Sequence, residues 1–455
     1  MKLRIPESRW KPFVDELCSR RDVETAGIIL AEHLYGSDVL LARDMIPFPE
    51  AGYLVRRIDQ LRLDPLTLNR VIRPARDLGL SVLTVHTHPG TDRPWFSAAD
   101  DRGDARLIPS LLTQMTGPHG SLVVAGNSGI PAGRVWSETG IKADLNTWTV
   151  GRTLRNPSGT GMLEHDGPWF DRQRLALGES GQKVLHGLHV VVVGLGGTGS
   201  VIFTQLVHLG VGRITVVDGD RVEKSNVSRI VGATVQDAGK TWKVDVAARY
   251  AAAVGLGTEV SCLRGHLGRD IPKKNIEGSD LAFSCVDKHF PRALLNRLSY
   301  ERAMPLIDMG SAFRVDGGRV VAGAGRVVIV GPSRPCLACW GHIDPNRIRT
   351  ESLSASDRAR EIADGYIEGA EVAQPSVVAF NSTVAGAAVV EFLRTVTGFA
   401  GTENAPMRLN FDFMKGTVRR NTLPASVGCK ICSDAAVALN STACEADVIA
   451  SELRA

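Results

Sequence analysis

Residues 188–200, LHVVVVGLGGTGS, indicate how the larger part of this chain folds. Its continuous apolar run is typical of a strand that is buried on both faces of a parallel sheet. A glycine turn follows at once, and VIFTQLVHLG (201–210) then has the composition of a helix. Such a turn leaves backbone N–H groups that can hold a phosphate. The glycines that we expect beside a bound nucleotide are Gly194, Gly196, Gly197 and Gly199.

Strands and helices continue to alternate after this stretch. The next expected strands are RITVVDGD (213–220), LAFSCVD (281–287) and MPLIDMG (304–310), with helices at KVDVAARYAAAVG (243–255) and PRALLNRLSYERA (291–303). This order predicts an α/β fold, a Rossmann-like doubly wound sheet.

The N-terminal third of the chain has a different pattern. Residues 1 to about 125 alternate short apolar runs with polar connections and a few helix-like stretches, which predicts an α+β domain. From 126 to about 180, Gly, Ser, Asn and Asp become frequent, so we expect an irregular linker there. The expected domains are residues 1–150, a linker and entry segment over 151–180, and a nucleotide-binding domain over 181–455.

The composition limits the classes of function. The 455 residues are 44% apolar and 22% charged, as in a soluble protein of several domains. The 53 basic and 49 acidic residues form no long block of one sign, so we expect neither nucleic acid nor membrane as a partner. We find no secretory signal and no apolar run near the ~18 residues of a membrane span, and expect a cytoplasmic protein.

Charged residues follow the predicted strands where a nucleotide would bind. Asp218 ends the second strand and could accept hydrogen bonds from ribose hydroxyls. The residues that could reach a triphosphate or its metal ion are Asp220, Asn226, Arg229, Lys243 and Asp287. A guanidinium, an ammonium and a carboxylate suit an ATP–Mg²⁺ site, whereas hydride transfer has little use for them. An NAD-dependent oxidoreductase is the alternative if the glycine turn is considered alone.

With DRQRLALGESGQKVL (171–185) upstream, these motifs resemble the ThiF/MoeB/HesA family of activating enzymes, relatives of the ubiquitin activators, over about residues 170–432. The resemblance implies that a C-terminal glycine carboxylate of a partner protein attacks ATP, which gives an acyl-adenylate and pyrophosphate. The implied contacts are Asp218 with the ribose, Asn226, Arg229 and Lys243 with the phosphates, and Asp287 with Mg²⁺.

The resemblance also implies a homodimer. In such dimers an arginine, here Arg172, reaches the nucleotide of the neighbouring protomer. Lys243 is one residue away from the commonest spacing of the family, so Lys240 is kept as an alternative phosphate ligand.

Four of the eight cysteines form C-x-x-C pairs, Cys336–Cys339 and Cys429–Cys432. Chance placement of the eight would give about 0.14 pairs at this spacing, so two pairs indicate a metal site. The family resemblance implies a structural zinc ion on the four sulfurs, which contributes to folding. Two separate redox motifs are the alternative.

A thioester-forming cysteine is not evident. Several relatives carry one before the last long helix, but ADGYIEGAEVAQPSVVAF (363–380) has none. Cys285 is expected to be buried in its strand. We find no positive neighbourhood that would activate the remaining cysteines, Cys18, Cys262 and Cys444. Adenylation is therefore expected, and thioester formation is left open.

A second constellation lies in TVHTHPGTDRPWFSAADD, residues 84–101. Alternation along a strand places His86 and His88 on one face, where both imidazoles can converge on one ion. Asp100, one helical turn after Ser97, would complete three ligands and leave a fourth position for water, as in catalytic zinc sites. Glu24 is the candidate general base. The alternative is a polar loop with a solvated Glu24.

These residues, as E-T-A-G, H-T-H-P and S-A-A-D, resemble the JAMM (MPN-plus, JAB) metalloproteases, which cleave bonds at the C-terminus of ubiquitin-like proteins. The resemblance implies that His86, His88 and Asp100 bind zinc, that Glu24 activates the water and that Ser97 helps to hold the oxyanion.

The sequence thus predicts an enzyme with two activities on a ubiquitin-like or sulfur-carrier protein that ends in glycine. It would use ATP, Mg²⁺ and two zinc ions, one catalytic and one structural. A conjugating enzyme or a sulfurtransferase is the expected further partner. The alternatives are a non-catalytic scaffold that binds zinc and nucleotide, and activation of a sulfur carrier for biosynthesis of a cofactor or amino acid.

Overall fold

The computed structural model describes residues 1–157, 167–351, 353–364, 375–401 and 407–433. The described chain divides into two compact units. The first unit holds residues 1–157 with the short stretch 301–303, and the second unit holds the other described residues.

The first unit is an α+β structure. Its helices are α1 (Glu7–Leu17), α2 (Pro65–Asp77) and α3 (Ala98–Gln114). Its strands are β1 (Lys2–Pro6), β2 (Ala26–His33), β3 (Val39–Pro47), β4 (Tyr53–Arg56), β5 (Leu61–Leu63), β6 (Ser81–His88), β7 (His119–Ala125), β8 (Pro131–Trp136), β9 (Lys142–Val150) and β10 (Leu154–Arg155).

Apart from the β4–β5 hairpin, these strands form one sheet in the order β1-β3-β2-β6-β7-β8-β9-β10, and β1 also pairs with β9. Apolar residues alternate between the two faces, as the pleat requires. Ile29 in β2 packs with α1, whereas Ile28 packs with α2 and α3. In β6, Leu83 and Val85 pack with α1, and Val82 packs with α2 and α3. Even-numbered positions of β6 therefore face α3.

The sequence expectation of an irregular segment from residue 126 to about 180 is wrong for residues 171–180, which begin a helix, and for residues 131–150. Residues 131–150 form β8 and β9, which pair with each other and continue the sheet from β7. Gly133 faces Leu145 on the neighbouring strand, and a Cβ there would lie 2.7 Å from its carbonyl oxygen. Close packing of backbones explains a glycine that, in the sequence, indicated a loop.

The second unit is the expected doubly wound α/β structure. Its helices are α4 (Asp171–Gly187), α5 (Gly197–His208), α6 (Lys243–Val254), α7 (His289–Glu301), α8 (Pro345–Glu351), α9 (Ala355–Ala363) and α10 (Val378–Thr397). Its strands are β11 (His189–Val193), β12 (Arg213–Asp218), β13 (Glu259–Arg264), β14 (Leu281–Ser284), β15 (Leu306–Asp316), β16 (Arg319–Val330), β17 (Arg408–Asp412) and β18 (Thr417–Asn421).

The strand order is β13-β12-β11-β14-β15-β16-β17-β18. The strands from β13 to β15 are parallel, and β16, β17 and β18 continue antiparallel. From β11 the chain builds outwards to β12 and β13, and then it returns to place β14 on the other side. The boundary between β11 and β14 is therefore a topological switch point, where open α/β sheets bind ligands.

Within the described residues, no helix is long and apolar enough to cross a membrane.

Candidate functional site

Strand β6 and helix α3 bring together the three residues expected to bind zinc in the first unit. His86 and His88 point to the α3 face of β6, and Nε2 of His86 lies 3.2 Å from Nε2 of His88. Oxygens of Asp100 lie 3.0 Å from Nε2 of His86 and 3.6 Å from Nε2 of His88. Tetrahedral zinc ligands at 2.0–2.2 Å from the ion are about 3.3–3.6 Å apart, so this triangle fits one ion. Two imidazole nitrogens and a carboxylate are also a zinc donor set.

The hydrogen bonds of α3 hold Asp100 at this place. Oγ of Ser97 accepts from the Asp100 amide at 3.2 Å, and Oδ2 of Asp100 accepts from the Ser97 amide at 2.6 Å, so the two residues form a capping box. Burial raises the pKa of Asp100, but hydrogen bonds from His86 and His88 outweigh it and hold the pKa well below its usual range. Asp100 is therefore ionised, as a carboxylate must be to bind a metal ion. Ser97, expected at an oxyanion, also caps the helix.

A buried arginine that the sequence did not single out fixes the same helix. Arg134 in β8 is 4% exposed, and its Nε donates to Asp104 at 2.6 Å while its Nη1 donates to Asp101 at 2.5 Å. Its guanidinium also lies 3.8 Å from the ring centre of Phe96, next to the cap residue. Arg134 thus ties the first turns of α3 to the sheet that carries the two histidines.

Glu24 lies just before β2, beside the histidines. Its Oε1 is 3.9 Å from Nε2 of His88, and the residue is only 8% exposed. Arg56 in β4 donates to the Glu24 carbonyl at 3.1 Å and to Oγ1 of Thr25 at 2.9 Å, which fixes this backbone. Burial raises the pKa of Glu24 above its usual value, although the nearby histidines lower it. A carboxylate that readily takes a proton suits a general base.

The four cysteines of the two C-x-x-C pairs meet in the second unit. Sγ of Cys336 lies 3.7 Å from Sγ of both Cys339 and Cys429, and Sγ of Cys339 lies 3.6 Å from Sγ of Cys432. Sulfur atoms on one tetrahedral zinc ion at 2.3 Å lie about 3.8 Å apart, so the cluster fits a closed zinc centre. The pairs are not two separate redox motifs, because their sulfurs belong to one cluster.

The glycine turn between β11 and α5 is tightly packed on one side and open on the other. Gly194 has φ +89°, and a Cβ there would lie 2.6 Å from the carbonyl oxygen of Cys285. A Cβ on Gly199 would lie 1.9 Å from the carbonyl oxygen of Gly194. A Cβ on Gly196, at the start of α5, would meet no atom within 4 Å. An open backbone at the N-terminus of a helix can hold a phosphate.

Asp218 and Lys243 lie beside this turn. Asp218, at the end of β12, is 8% exposed and accepts a hydrogen bond from the Leu195 amide at 2.7 Å. Nζ of Lys243, at the start of α6, lies 2.7 Å from Asp220 and 3.6 Å from Asp218. Burial raises the pKa of Asp218, which the ammonium of Lys243 opposes. The ribose of ATP requires a fixed hydrogen-bond acceptor, and the turn fixes the carboxylate of Asp218. The triphosphate requires a cation, and the ammonium of Lys243 could exchange its carboxylate partners for phosphates.

Lys243 and its alternative Lys240 have different surroundings. Lys240 is exposed on the loop before α6, and its carbonyl accepts a bond from Arg221. The ammonium of Lys243 makes the ion pairs with Asp218 and Asp220 instead. The geometry therefore favours Lys243 as the cation of this site.

The other expected residues lie at the same edge of the sheet, except Arg172. Cδ of Arg229 would be 3.4 Å from a Cβ on Gly197, so this arginine borders the glycine turn. Asn226 is buried one turn before it, and Asp287 is exposed after β14, across the switch point. Arg172 is exposed on α4.

Outside the four-sulfur cluster, the described cysteine thiols are not activated. Burial raises the pKa of Cys18, Cys262 and Cys285 above the usual value. Thiolates are the nucleophilic form, so these thiols are poor nucleophiles. Cys444 and residues 365–374 of the segment before α10 lie outside the described residues.

Part of this chain is similar in sequence to known activating enzymes and adenylyltransferases. A sulfur carrier protein adenylyltransferase of Thermus thermophilus is 33% identical over 163 residues, 36% of this chain and 59% of that protein. A SAMP-activating enzyme E1 of Haloferax volcanii is 30% identical over 163 residues, 36% of this chain and 57% of that protein. An adenylyltransferase and sulfurtransferase of Aspergillus niger is 32% identical over 162 residues, 35% of this chain and 33% of that protein. The matched part of this chain thus spans about a third to three fifths of these relatives.

Among solved structures, Escherichia coli MccB with ATP covers 59% of this chain and 75% of its own, at 17% identity and a TM-score of 0.44. The model of the ThiF family matches residues 170–431, more than half of the sequence, as the motifs after β11 predicted. The chain therefore belongs to the ThiF family.

Proposed function

We propose that the second unit adenylates the C-terminal glycine carboxylate of a ubiquitin-like or sulfur-carrier protein, with ATP and Mg²⁺. The observation that carries this proposal is the pairing of Lys243 with Asp218 and Asp220 beside the open glycine turn, in a chain of the ThiF family. The names of two related adenylyltransferases agree with this chemistry.

In this reaction, a carboxylate oxygen of the glycine attacks the α-phosphorus of ATP. The bond from the α-phosphorus to the bridging oxygen breaks, and pyrophosphate leaves with the electron pair. Asp218 orients the ribose, while Lys243 moves from Asp220 to the phosphates together with Arg229 and Asn226. Asp287 would hold a Mg²⁺ ion, and that ion would neutralise negative charge that develops on the phosphates.

Exchange of labelled pyrophosphate into ATP tests the reaction. We expect exchange when a carrier protein ending in glycine is present and none when its last glycine is removed. If the chain binds ATP tightly but exchanges no pyrophosphate with any ubiquitin-like or sulfur-carrier protein, the non-catalytic scaffold is favoured. NAD binding in place of ATP would favour the oxidoreductase.

We propose that the first unit is a zinc-dependent peptidase of the JAMM type that trims or releases a carrier's C-terminal tail. The fit of His86, His88 and Asp100 to one tetrahedral ion carries this proposal. A zinc ion held there would lower the pKa of a bound water towards about 7. Glu24 would take the water's proton at Oε1 and pass it to the leaving amine, and the Ser97 hydroxyl would donate to the oxyanion.

Zinc content and cleavage test this second activity. We expect two zinc equivalents per chain, one of which is lost in His86→Ala/His88→Ala and the other in Cys336→Ser/Cys339→Ser. We expect cleavage of a carrier with residues beyond its final glycine, and loss of cleavage in Glu24→Gln with zinc retained. One equivalent in the wild-type chain, bound to the sulfurs alone, would contradict the peptidase.

Arg172 would act in a homodimer, where its exposed guanidinium on α4 reaches the nucleotide of the second protomer. This role is supported if the chain is a dimer and if Arg172→Ala lowers pyrophosphate exchange while each protomer still binds ATP. A monomer with full activity would contradict it.

Activation of a sulfur carrier is the second candidate for the biological role. It is favoured by one relative named for a sulfur carrier protein and by another named an adenylyltransferase and sulfurtransferase. Transfer of sulfur to the activated carrier by a sulfurtransferase would separate it from conjugation to target proteins by a conjugating enzyme.

A further inference from the structure

Helix α10 contributes a buried amide to the glycine turn. Asn381, in the first turn of α10, is 3% exposed. A Cβ built on Gly197 would lie 2.2 Å from Nδ2 of Asn381 and 3.4 Å from Cδ of Arg229. The amide therefore lies directly against the backbone at the start of α5. Gly197 is the residue that allows both contacts.

Hydrogen bonds fix the orientation of this amide. Oδ1 of Asn381 accepts from Oγ of Ser311 in β15 at 3.2 Å, and Nδ2 donates to Oγ of Ser376, just before α10, at 3.0 Å. A buried amide without partners would be costly, and these two bonds remove most of that cost. Asn381 thus links β15 to the segment before α10 through hydrogen bonds, and it packs against the glycine turn.

The contact lies on the part of the turn that would hold phosphate. The N–H groups at the start of α5 stay aligned only if the backbone at Gly197 stays in place. Arg229, expected on the phosphates, borders the same glycine from another side. A side chain that fixes this backbone therefore acts on phosphate binding without touching the reacting atoms.

We infer that Asn381 is a positioning residue of the nucleotide site. It holds the Gly197 backbone, and through it the N-terminus of α5, in the geometry that receives the phosphates of ATP. This inference rests on the proposed adenylation for its place in the reaction, but ATP binding alone can test it.

The first variant is Asn381→Asp, measured by equilibrium binding of ATP to the full chain. An aspartate has the same shape and can accept from the hydroxyls of Ser311 and Ser376, so the fold should be kept. Its negative charge beside the turn should raise the Kd for ATP about tenfold, as 1.4 kcal/mol of lost affinity does. Asn275→Asp is the matched control, because Asn275 is exposed in the segment between β13 and β14, whereas the glycine turn lies between β11 and α5. Its Kd should stay at the wild-type value.

The second test is a pair of compensating variants. Gly197→Ala should weaken ATP binding, since the new methyl group meets the Asn381 amide. Adding Asn381→Ala should restore part of the affinity, because it removes the atoms that the methyl group meets. Tm of each variant is measured alongside, so that a loss of folding is recognised.

Wild-type ATP binding by Asn381→Asp, or a double variant no better than Gly197→Ala, would overturn the inference. A wild-type chain that binds ATP but exchanges no pyrophosphate would overturn the proposed function, and the binding comparison would still decide the role of Asn381. A wild-type chain that binds no ATP would overturn both.

Discussion

Ser97 and Asp100 hold each other through two reciprocal hydrogen bonds, one from each backbone amide to the other side chain. The carboxylate that faces His86 and His88 is therefore fixed by the same bonds that begin α3. Helix capping and the proposed metal binding share one residue pair.

Replacing Ser97 should separate its observed role as a helix cap from its proposed role at the oxyanion. Ser97→Ala removes the cap, which costs about 1 kcal/mol of stability, and should weaken zinc binding about tenfold because Asp100 is less well fixed. Ser97→Asn keeps a capping oxygen but not the hydroxyl, so zinc affinity should be retained while peptidase kcat falls. Chelator competition and cleavage assays measure both. Equal cleavage by the asparagine variant and the wild type would remove Ser97 from the oxyanion.

Arg134 holds the first turns of α3, the helix that carries Asp100 of the proposed zinc site. Arg134→Met leaves Asp104 buried without its cation and should lower the free energy of unfolding of the first unit by about 3–5 kcal/mol. Zinc affinity should fall as well, since α3 carries Asp100. Arg102→Met, an exposed change on the same helix, is the control and should alter neither quantity. Denaturant unfolding at saturating zinc measures this loss of stability. An unchanged midpoint for Arg134→Met would show that Arg134 does not stabilise the first unit.

Lys243 and Lys240 should differ in their effects on the adenylation. Lys243→Met removes the cation beside Asp218 and Asp220, and pyrophosphate exchange should fall about 100-fold or more, as when one charge-stabilising group is lost. Lys240→Met should keep nearly wild-type exchange, since its side chain is exposed on the loop before α6. The reverse order of the two rates would show that Lys240 binds the phosphates.

His119 should make the first unit sensitive to acid. Its Nδ1 accepts a hydrogen bond from the Val82 amide at 3.0 Å, and burial lowers the pKa of His119 to about 4. Because the folded pKa lies below the unfolded value, the stabilisation is complete above about pH 6.5 and is lost as pH falls towards about 4. In that window the free energy of unfolding should decrease by about 1.4 kcal/mol per pH unit from this residue.

His119→Asn can keep the acceptor for the Val82 amide and carries no titrating group. Its unfolding midpoint in urea should therefore depend less on pH between 6.5 and 4 than that of the wild type. His33→Asn, at an exposed position, serves as the control. An identical pH dependence for His119→Asn and the wild type would contradict the assignment.

The placement of many residues in the two candidate sites could be predicted because the relevant patterns are local. Alternation along β6 places His86 and His88 on one face, and one helical turn joins Ser97 to Asp100. The strand, glycine turn and helix at 188–210 specify the open backbone in the same way. Each of these predictions needs the geometry of only one or two elements.

Other features depend on tertiary contacts that no short pattern carries. Arg134 and Asn381 act through residues 30 and 70 positions away in the sequence. Strand β13 was not predicted, because it lies at the edge of the sheet and its burial alternates only weakly. A polar edge strand has too little apolar pattern to be distinguished from a loop.

The proposed adenylation joins a carrier's C-terminal carboxylate to AMP. Intact-mass spectrometry of a carrier protein ending in glycine, after incubation with the chain, ATP and Mg²⁺ and then hydroxylamine, tests it most directly. We expect a hydroxamate at the carrier's last glycine that requires ATP and is lost in Lys243→Met. An unmodified carrier, in a mixture where the folded chain is saturated with ATP, would contradict it.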